Sequence, residues 1–175
     1  MPRQPRILLP QSYYHIMTRG NNRNIVFKED SVWQVQLKLV TIGNYVVLEP
    51  VYQLLTAAQG CSSHRSIVAM ENDVAFVNRN GMYILGYEPR INVTTLRTNE
   101  ISAKIRPFFE TLSDTDITSC NATYVNNKYV MAFPSSKRVV IFDRERTAFM
   151  GPWTMNFGLN KIMQYVDSDN NEVML

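Results

Sequence analysis

The chain has few cysteines, few histidines and few charged residues, and each shortage narrows what it can be. It contains 2 cysteines and 2 histidines among 175 residues, and only 19% of its residues are charged. Cys61 and Cys120 have no partner at a metal-ligand spacing, so we expect two small buried thiols in a reducing compartment. No apolar run approaches the roughly 20 residues of a membrane span, and residues 7–9 are too short for the core of a signal peptide. We therefore expect a soluble, non-secreted chain with no membrane partner.

Apolar and aromatic residues are plentiful, and they favour one β-rich domain. Hydrophobic residues make up 45% of the chain and aromatic residues 11%. The clearest pattern covers residues 66–86, where alternating apolar residues and polar turns predict three short strands. Asn80-Gly81 predicts a two-residue hairpin turn, because both residues tolerate a positive φ. Such a meander cannot bury its own faces, so we expect it to stack against similar sheets.

Strand and turn signals continue on both sides of this meander. The other predicted strands are residues 13–18, 24–28, 31–37, 93–98, 122–125, 128–133, 138–143, 147–153 and 161–166, with apolar stretches at 46–48 and 51–56 and a final partner strand from residue 172. Asn126-Asn127 predicts a second turn with positive φ. One helix is predicted at residues 99–112, where an apolar stripe recurs at helical spacing and Pro107 should start a new turn or kink the helix. The stripe consists of Ile101, Ile105, Phe108, Phe109 and Leu112.

The excess positive charge lies entirely at the start of the chain. Residues 1–28 contain 5 basic side chains and no acid, whereas residues 31–175 contain 13 basic and 13 acidic side chains. The balanced body argues against a broad nucleic-acid-binding face there. We predict a basic, proline-punctuated arm at residues 1–23 that contacts nucleic acid weakly through its phosphates. The candidate contacts are Arg3, Arg6, Arg19 and Arg23.

This arm resembles a known family. Pro2, Arg3 and Arg6, followed by Tyr-His-Ile-Met-Thr-Arg-Gly-Asn-Asn-Arg at residues 14–23, are similar to the opening of the REP-associated, HUH-type tyrosine transposases. That family holds a divalent metal with two histidines flanking one hydrophobic residue, and a tyrosine attacks the DNA phosphate. This chain has only His15 and His64, so the resemblance carries over no metal ligand and no nucleophile. It implies a transposase-like arm that touches DNA.

The rest of the chain resembles a different family. Meanders recur at about 40–50 residues, which is the spacing of propeller blades. Motifs at residues 25–33, 60–68, 71–86, 127–129 and 140–153 succeed one another as in the β-propeller proteins of tailed-bacteriophage virions, particularly tail or portal-associated components. The resemblance implies a mainly β fold at residues 24–175: a partial β-propeller of about three antiparallel blades with one short amphipathic helix. Because propellers typically close with 4–8 blades, we expect open sheet edges covered by other virion proteins or by self-association.

These patterns support three functions. The first is a non-enzymatic virion or tail module without metal or cofactor, found in the virion or, before assembly, in the host cytoplasm. The alternative is a DNA-binding remnant of an HUH-type tyrosine transposase. A third is a sugar-binding propeller in which Trp33 or Trp153 stacks on sugar rings, although we favour core packing for both. Since residues 24–30 fit both resemblances, a recombined reading frame joined there is a further hypothesis.

Predictions also follow for a polar loop, for a lone histidine and for a set of large side chains. Cys61, Ser62, Ser63 and His64 lie in one polar loop, but no acid stands nearby to orient a base, so we expect no catalysis there. A lone histidine such as His15 is expected to be structural. The large side chains with predicted packing roles are Phe76, Tyr83, Val140, Ile141, Phe142 and Trp153.

Overall fold

Alternating apolar residues and short polar turns make this chain a succession of antiparallel strands. The computed structural model describes residues 15–19, 23–57, 59–71, 73–90, 93–166, 168 and 172–174. Three four-stranded sheets and one two-stranded sheet are formed, and each four-stranded sheet is a meander whose strands lie in chain order. The first strands of the three meanders begin at His15, Val68 and Asn121, at equal intervals. The predicted mainly β, antiparallel fold class is confirmed.

The first sheet is built around a long hairpin. Its strands are β1 (His15–Arg19), β2 (Arg23–Phe27), β3 (Val32–Ile42) and β4 (Tyr45–Thr56). The apolar stretches predicted separately at residues 46–48 and 51–56 form the single strand β4, and β3 extends well beyond residue 37. β1 pairs with β2 along its whole length. The predicted domain boundary between residues 23 and 24 therefore falls inside a strand of this sheet.

The second sheet contains the predicted meander. Its strands are β5 (Val68–Met70), β6 (Asp73–Asn78), β7 (Gly81–Arg90) and β8 (Val93–Glu100). The three strands predicted within residues 66–86 are confirmed, but the predicted Asn80-Gly81 turn is wrong by one residue, because Asn78 pairs with Gly81. The turn consists of Arg79 and Asn80. The Asn78 side-chain oxygen accepts a hydrogen bond from the Asn80 amide at 2.8 Å, and the positive φ falls on Gly81.

The third sheet matches its prediction closely. Its strands are β9 (Asn121–Val125), β10 (Lys128–Phe133), β11 (Arg138–Asp143) and β12 (Ala148–Thr154). Asn126 and Asn127 have φ values of 48° and 58°, which confirms the predicted turn between β9 and β10. A short hairpin comes next, made of β13 (Gln164–Val166) and β14 (Glu172–Met174).

The predicted helix at residues 99–112 is broken. A 3₁₀ turn covers Ser102–Ile105, and α1 covers only Arg106–Glu110. Pro107 explains the break, since a proline fits the first turn of a helix but not its interior. The apolar stripe nevertheless packs on the core, with Phe109 buried. A second helix, α2 (Asp114–Ser119), is not among the predicted elements and begins at a capping box formed by Ser113 and Asp116.

The second sheet packs on the first sheet through one of its faces. Phe76 is fully buried there. Its ring meets the edge of Phe27 at a centroid distance of 5.2 Å and stacks on Tyr83 at 5.7 Å. The predicted packing roles of Phe76 and Tyr83 are confirmed. The whole cluster consists of Ile25, Phe27, Val32, Ile67, Val74, Phe76, Tyr83 and Leu85.

The other face of the second sheet packs on the third sheet. Met70, Ala75, Val77 and Met82 of the second sheet meet buried side chains of β10 and β11, and both helices contribute to the same cluster. The side chains from β10 and β11 are Tyr129, Met131, Phe133, Val140 and Phe142. The second sheet is thus covered on both faces by sheets with the same topology.

The outer face of the third sheet is covered by the chain itself. Residues 155–162, which we call the covering segment, place Met155, Leu159 and Ile162 against Val130 and its neighbours. The Asn121 side-chain amide donates to the Leu159 carbonyl at 2.8 Å, and the Met155 amide donates to the Lys137 carbonyl at 2.8 Å. The covering segment is therefore held by hydrogen bonds as well as apolar contacts.

The three sheets stack face to face in chain order. A polar bridge joins the second and third sheets, where the Arg144 guanidinium donates to the Met70 carbonyl at 2.8 Å and to the Asp73 carboxylate at 2.9 Å. The described residues do not close into a barrel or a ring, so the propeller stays a prediction. Within the described ranges, no helix has the length and apolar character needed to cross a membrane.

Candidate interaction surface

The β3–β4 hairpin extends the first sheet well beyond its neighbours β1 and β2. β3 has 11 residues and β4 has 12, whereas β1 and β2 have 5 each. The two long strands pair from Val32 to the turn at Gly43-Asn44, where Gly43 takes a φ of 62° that suits a residue without a side chain. Because β2 pairs with β3 only as far as Gln36, residues 37–50 at the distal end of the hairpin form a two-stranded arm.

Strand pairing assigns each side chain of the hairpin to one of two faces. Successive residues of a strand point to opposite faces, and directly paired residues share a face. Ile25, Phe27 and Val32 point toward the second sheet, so the paired residues Val26 and Trp33 point away from it. We call this outward side of the first sheet the open face. On the hairpin, it carries Trp33, Val35, Leu37, Leu39, Thr41, Val46, Leu48, Pro50, Tyr52 and Leu54.

The open face is apolar and solvent-exposed along the arm. Leu39 is 72% exposed and its cross-strand partner Leu48 is 57% exposed. Val46, Tyr52 and Leu54 are exposed as well. Contiguous apolar surface of this kind makes the open face the candidate interaction surface among the described residues.

The opposite face of the arm has a different chemistry. Lys38 and Glu49, the only charged residues of the arm, are direct register partners there. Further toward the turn, Ile42 and Tyr45 form a cross-strand pair on the same face and are 64% and 78% exposed. The arm thus has one uncharged face and one mixed face.

The predicted nucleic-acid contacts are only partly described. Arg3 and Arg6 lie outside the described residues. Arg19 ends β1 and Arg23 begins β2, and the two are register partners. The structure therefore brings two of the four predicted basic positions next to each other at the end of one hairpin.

The two histidines lie in different elements of the fold. His15 opens β1 and pairs with Phe27, whereas His64 lies in the 3₁₀ turn His64–Ser66 and is exposed. Among the described residues, no group of three or more His, Cys, Asp or Glu side chains is arranged to hold a metal ion.

The loop that contains Cys61, Ser63 and His64 is a structural junction between sheets. Ser63 donates its hydroxyl hydrogen bond to the Cys120 carbonyl at 2.6 Å, and Ser66 accepts one from the Val77 amide at 3.0 Å. Burial raises the pKa of the Cys61 thiol to about 11, against the smaller lowering effect of its hydrogen bonds to Ser66 and Ser63. Burial also raises the pKa of the fully buried Cys120 thiol. Burial therefore favours the neutral thiol over the thiolate at both residues.

The two tryptophans differ in their surroundings. Trp33 lies half-buried on the open face, where its indole N–H donates to the Ser31 hydroxyl at 2.9 Å and the Lys28 ammonium lies 5.6 Å from the ring centroid. Trp153 lies on the edge strand β12 and is 44% exposed, so its predicted role as a large packing contact between sheets is wrong. Trp153 is the register partner of Val139 and therefore points to the outer face of the third sheet, away from the contact with the second sheet.

A shallow cleft beside Tyr83 contains several charged groups that satisfy one another. It is lined by Arg79, Asn80, Tyr83, Glu100, Arg106 and Glu110. The Arg106 guanidinium donates to both carboxylate oxygens of Glu100, at 2.6 Å and 3.3 Å, and Arg79 pairs with Asp114 at 3.2 Å. Because these charges are already paired, the cleft is a weaker candidate site than the open face.

The sequence held a partial signal for the open face. Trp33, Val35, Leu37 and Leu39 alternate with polar residues over most of β3, which is the pattern of a strand with one apolar face. The sequence does not show the register that adds the apolar residues of β4 to the same face. Nor does it show that none of the described elements covers the exposed part of that face. Comparison of the chain with protein-family models and with curated proteins gives no match.

Proposed function

We propose that this chain is a non-enzymatic structural or interaction module of a tailed-bacteriophage virion, built from consecutive blades of a partial β-propeller. Propeller blades are four-stranded antiparallel sheets arranged one after another. The three meanders have this strand number and order, and their equal spacing along the chain is that of a repeated unit.

The observation that carries this proposal is the environment of the second sheet. Val74 and Phe76 face the first sheet, while Ala75 and Val77 face the third. A four-stranded sheet that buries both faces against copies of its own topology is packed as a blade is packed between its neighbours. The exposed face of the first sheet then calls for a further partner, either another virion protein or a second copy.

The proposal is tested on purified phage particles. Quantitative mass spectrometry of gradient-purified virions should detect the chain at a constant ratio to the major capsid protein, and antibodies to the chain should label the tail or the portal vertex. A chain that is abundant in lysates of infected cells but absent from purified particles contradicts the proposal.

A second function, DNA binding by the basic arm, is favoured by the pairing of Arg19 with Arg23. Binding carried by phosphate contacts should weaken steeply with salt, with a slope of about 0.7 per phosphate on single strands. We would measure fluorescence anisotropy of labelled single-stranded DNA with the wild type and with a variant that has alanine at all four basic positions. A matched control removes four exposed basic side chains elsewhere: Arg65, Lys104, Arg146 and Lys161. Equal losses of binding in the two variants contradict a specific role for the basic residues at positions 1–23.

A further inference from the structure

We infer that the open face of the first sheet binds the open face of a second copy of this chain, giving a two-fold symmetric dimer in which two sheets pack face to face. The inference rests on the proposed function, in which the chain assembles with a partner through its open face. A second copy of the chain is one such partner. The inference assigns the contact to a sheet face and not to a sheet edge.

The chemistry of the open face fits an uncharged apolar partner. Along the hairpin, the open face carries no charged residue, and Lys38 and Glu49 point to the opposite side. A nucleic acid or a charged peptide would leave its charges unpaired on such a surface. Along the arm, the same face on a second copy matches it, because apolar side chains then meet apolar side chains; the Lys28 ammonium stands at the base of the hairpin, beside Trp33.

The size of the open face agrees with a dimer contact. Six of its apolar side chains are at least 42% exposed: Leu37, Leu39, Val46, Leu48, Tyr52 and Leu54. Together they present roughly 600 Å² of surface, at the upper end of the largest apolar patches on monomeric proteins. Two copies pairing through this face bury about 1,200 Å², which exceeds the roughly 1,000 Å² of a specific interface.

The proposed contact between two copies has the same geometry as the contacts between sheets within one chain. The first and second sheets, and the second and third, pack through apolar faces. Stacked sheets lie about 10 Å apart with strands inclined by about 30°. Residues 37–42 of β3, which belong to the arm, span about 20 Å, so two arms crossing at this angle keep most of their length in contact.

Pro50 favours the face over the edge as the contact. It lies near the middle of β4, which is the edge strand of the first sheet. Proline has no amide hydrogen to donate to an added strand and is a common device against edge-to-edge pairing. On the open face, in contrast, its ring adds apolar surface beside Leu37.

The test is sedimentation equilibrium of the full chain and two charge-matched variants. L39D/L48D places two carboxylates on the open face, and I42D/Y45D places two on the opposite face of the same arm. We expect the wild type to dimerise with a dissociation constant in the micromolar range or below and L39D/L48D to weaken dimerisation by about 100-fold or more, because four like charges would be buried together. The control should stay within about 3-fold of the wild type. A monomeric wild type at several hundred micromolar, or equal effects of the two variants, overturns the inference.

A fluorescence measurement keeps the inference testable if L39D/L48D does not fold. Trp33 lies on the open face and Trp153 does not, so the variant W153F leaves Trp33 as the single tryptophan. We expect acrylamide to quench Trp33 less as the protein concentration rises through the dissociation constant. Quenching that is independent of concentration overturns the inference.

The two proposals fail in different ways. A chain that is monomeric in sedimentation but present in purified virions overturns the dimer and leaves the proposed function standing. A chain that dimerises through the open face but is absent from virions overturns the proposed function and leaves the dimer standing.

Discussion

The first and third sheets stand at the two ends of the same stack, and their outer faces differ in solvent exposure. On the third sheet, Val130, Ala132 and Val139 are buried beneath the covering segment. On the first sheet, Leu39 and Leu48 of the open face remain largely exposed. Both faces are apolar, so composition alone does not separate them.

The difference lies in the course that the chain takes after each sheet. After β12, residues 155–162 return across the third sheet and are fixed there by hydrogen bonds to Lys137 and Asn121. After β4, the chain runs instead into the Gly60–Ser66 loop, which connects to the second sheet through the Ser62 amide and the Val77 carbonyl. An apolar outer face of this stack is thus either covered by the chain or left available for a partner.

The largest expected difference in stability is between a substitution inside the stack and one on the open face. Replacing Phe76 with alanine should lower the free energy of unfolding by about 3–5 kcal/mol, since it removes a ring that fills the contact between two sheets. Replacing Leu39 with alanine should change it by less than about 0.5 kcal/mol at protein concentrations that keep the chain monomeric. Urea unfolding followed by circular dichroism measures both. Similar losses in the two variants would contradict the stacked arrangement.

A smaller effect is expected at the covering segment. Ile162 is only 9% exposed, and replacing it with alanine should cost about 2–4 kcal/mol of stability because the third sheet loses its cover. Ile42, at 64% exposed, gives the matched control on the arm, where the same substitution should be nearly neutral. Thermal and urea unfolding of the two variants compare them directly. A neutral effect at Ile162 would mean that the third sheet is as open as the first.

The buried junction between the sheets should also make stability depend on alkaline pH. The pKa of Cys61 is 9.0 in an unfolded chain and about 11 in the folded protein. The unfolded thiol therefore loses its proton first, and the free energy of unfolding should fall as pH rises from 9.0 toward about 11. Burial raises the pKa of Tyr129 and adds a decline of the same sign.

The contribution of Cys61 is isolated by comparing the wild type with C61A in urea unfolding at several pH values. We expect the variant to have a shallower decline above pH 9.0, the ordinary value for the thiol. Identical slopes in the two proteins would contradict the buried, protonated state of this thiol.

The smallest expected effect concerns α2, away from both sheet faces. Burial alone would raise the pKa of Asp116, but hydrogen bonds from Ser113 and Ser136 outweigh it and hold the pKa below its usual value. Replacing Ser113 with alanine removes the side-chain half of the capping box and should cost about 1 kcal/mol. The loss should be smaller than at Ile162 in the same unfolding experiment. A loss as large as that at Phe76 would mean that α2 is central to the core.

Local sequence signals predicted most of the strands and few of the contacts between residues that are distant in the sequence. The third sheet was predictable because its turns use residues with strong local preferences, such as Asn126 and Asn127 at positive φ. The apolar stripe at residues 99–112 indicates one helical face but not the length of the helix, which begins only at Arg106, next to Pro107. The β6–β7 turn was misplaced because the Asn78 side chain, and not a primed turn, determines its geometry.

Local sequence patterns indicated only a small part of the open face. The alternation in β3 indicated one apolar face, but the interruption at Glu49-Pro50 divided β4 into two apparent pieces. That a face stays uncovered is a property of the whole stack, and no window of sequence contains it. The predicted basic contacts had a local signal in charge, and only Arg19 and Arg23 among them lie in the described part of the chain.

Isotope-filtered NMR on a mixture of labelled and unlabelled protein tests the central claim most directly. Methyl-labelled isoleucine, leucine and valine, together with protonated phenylalanine rings, would report contacts within one chain and between two chains in a single sample. We predict contacts within the chain between Val74 and Phe27, and contacts between chains at Leu39 and Leu48. Contacts between chains at Ile162 or at Val130, with none at Leu39 and Leu48, would contradict the dimer through the open face.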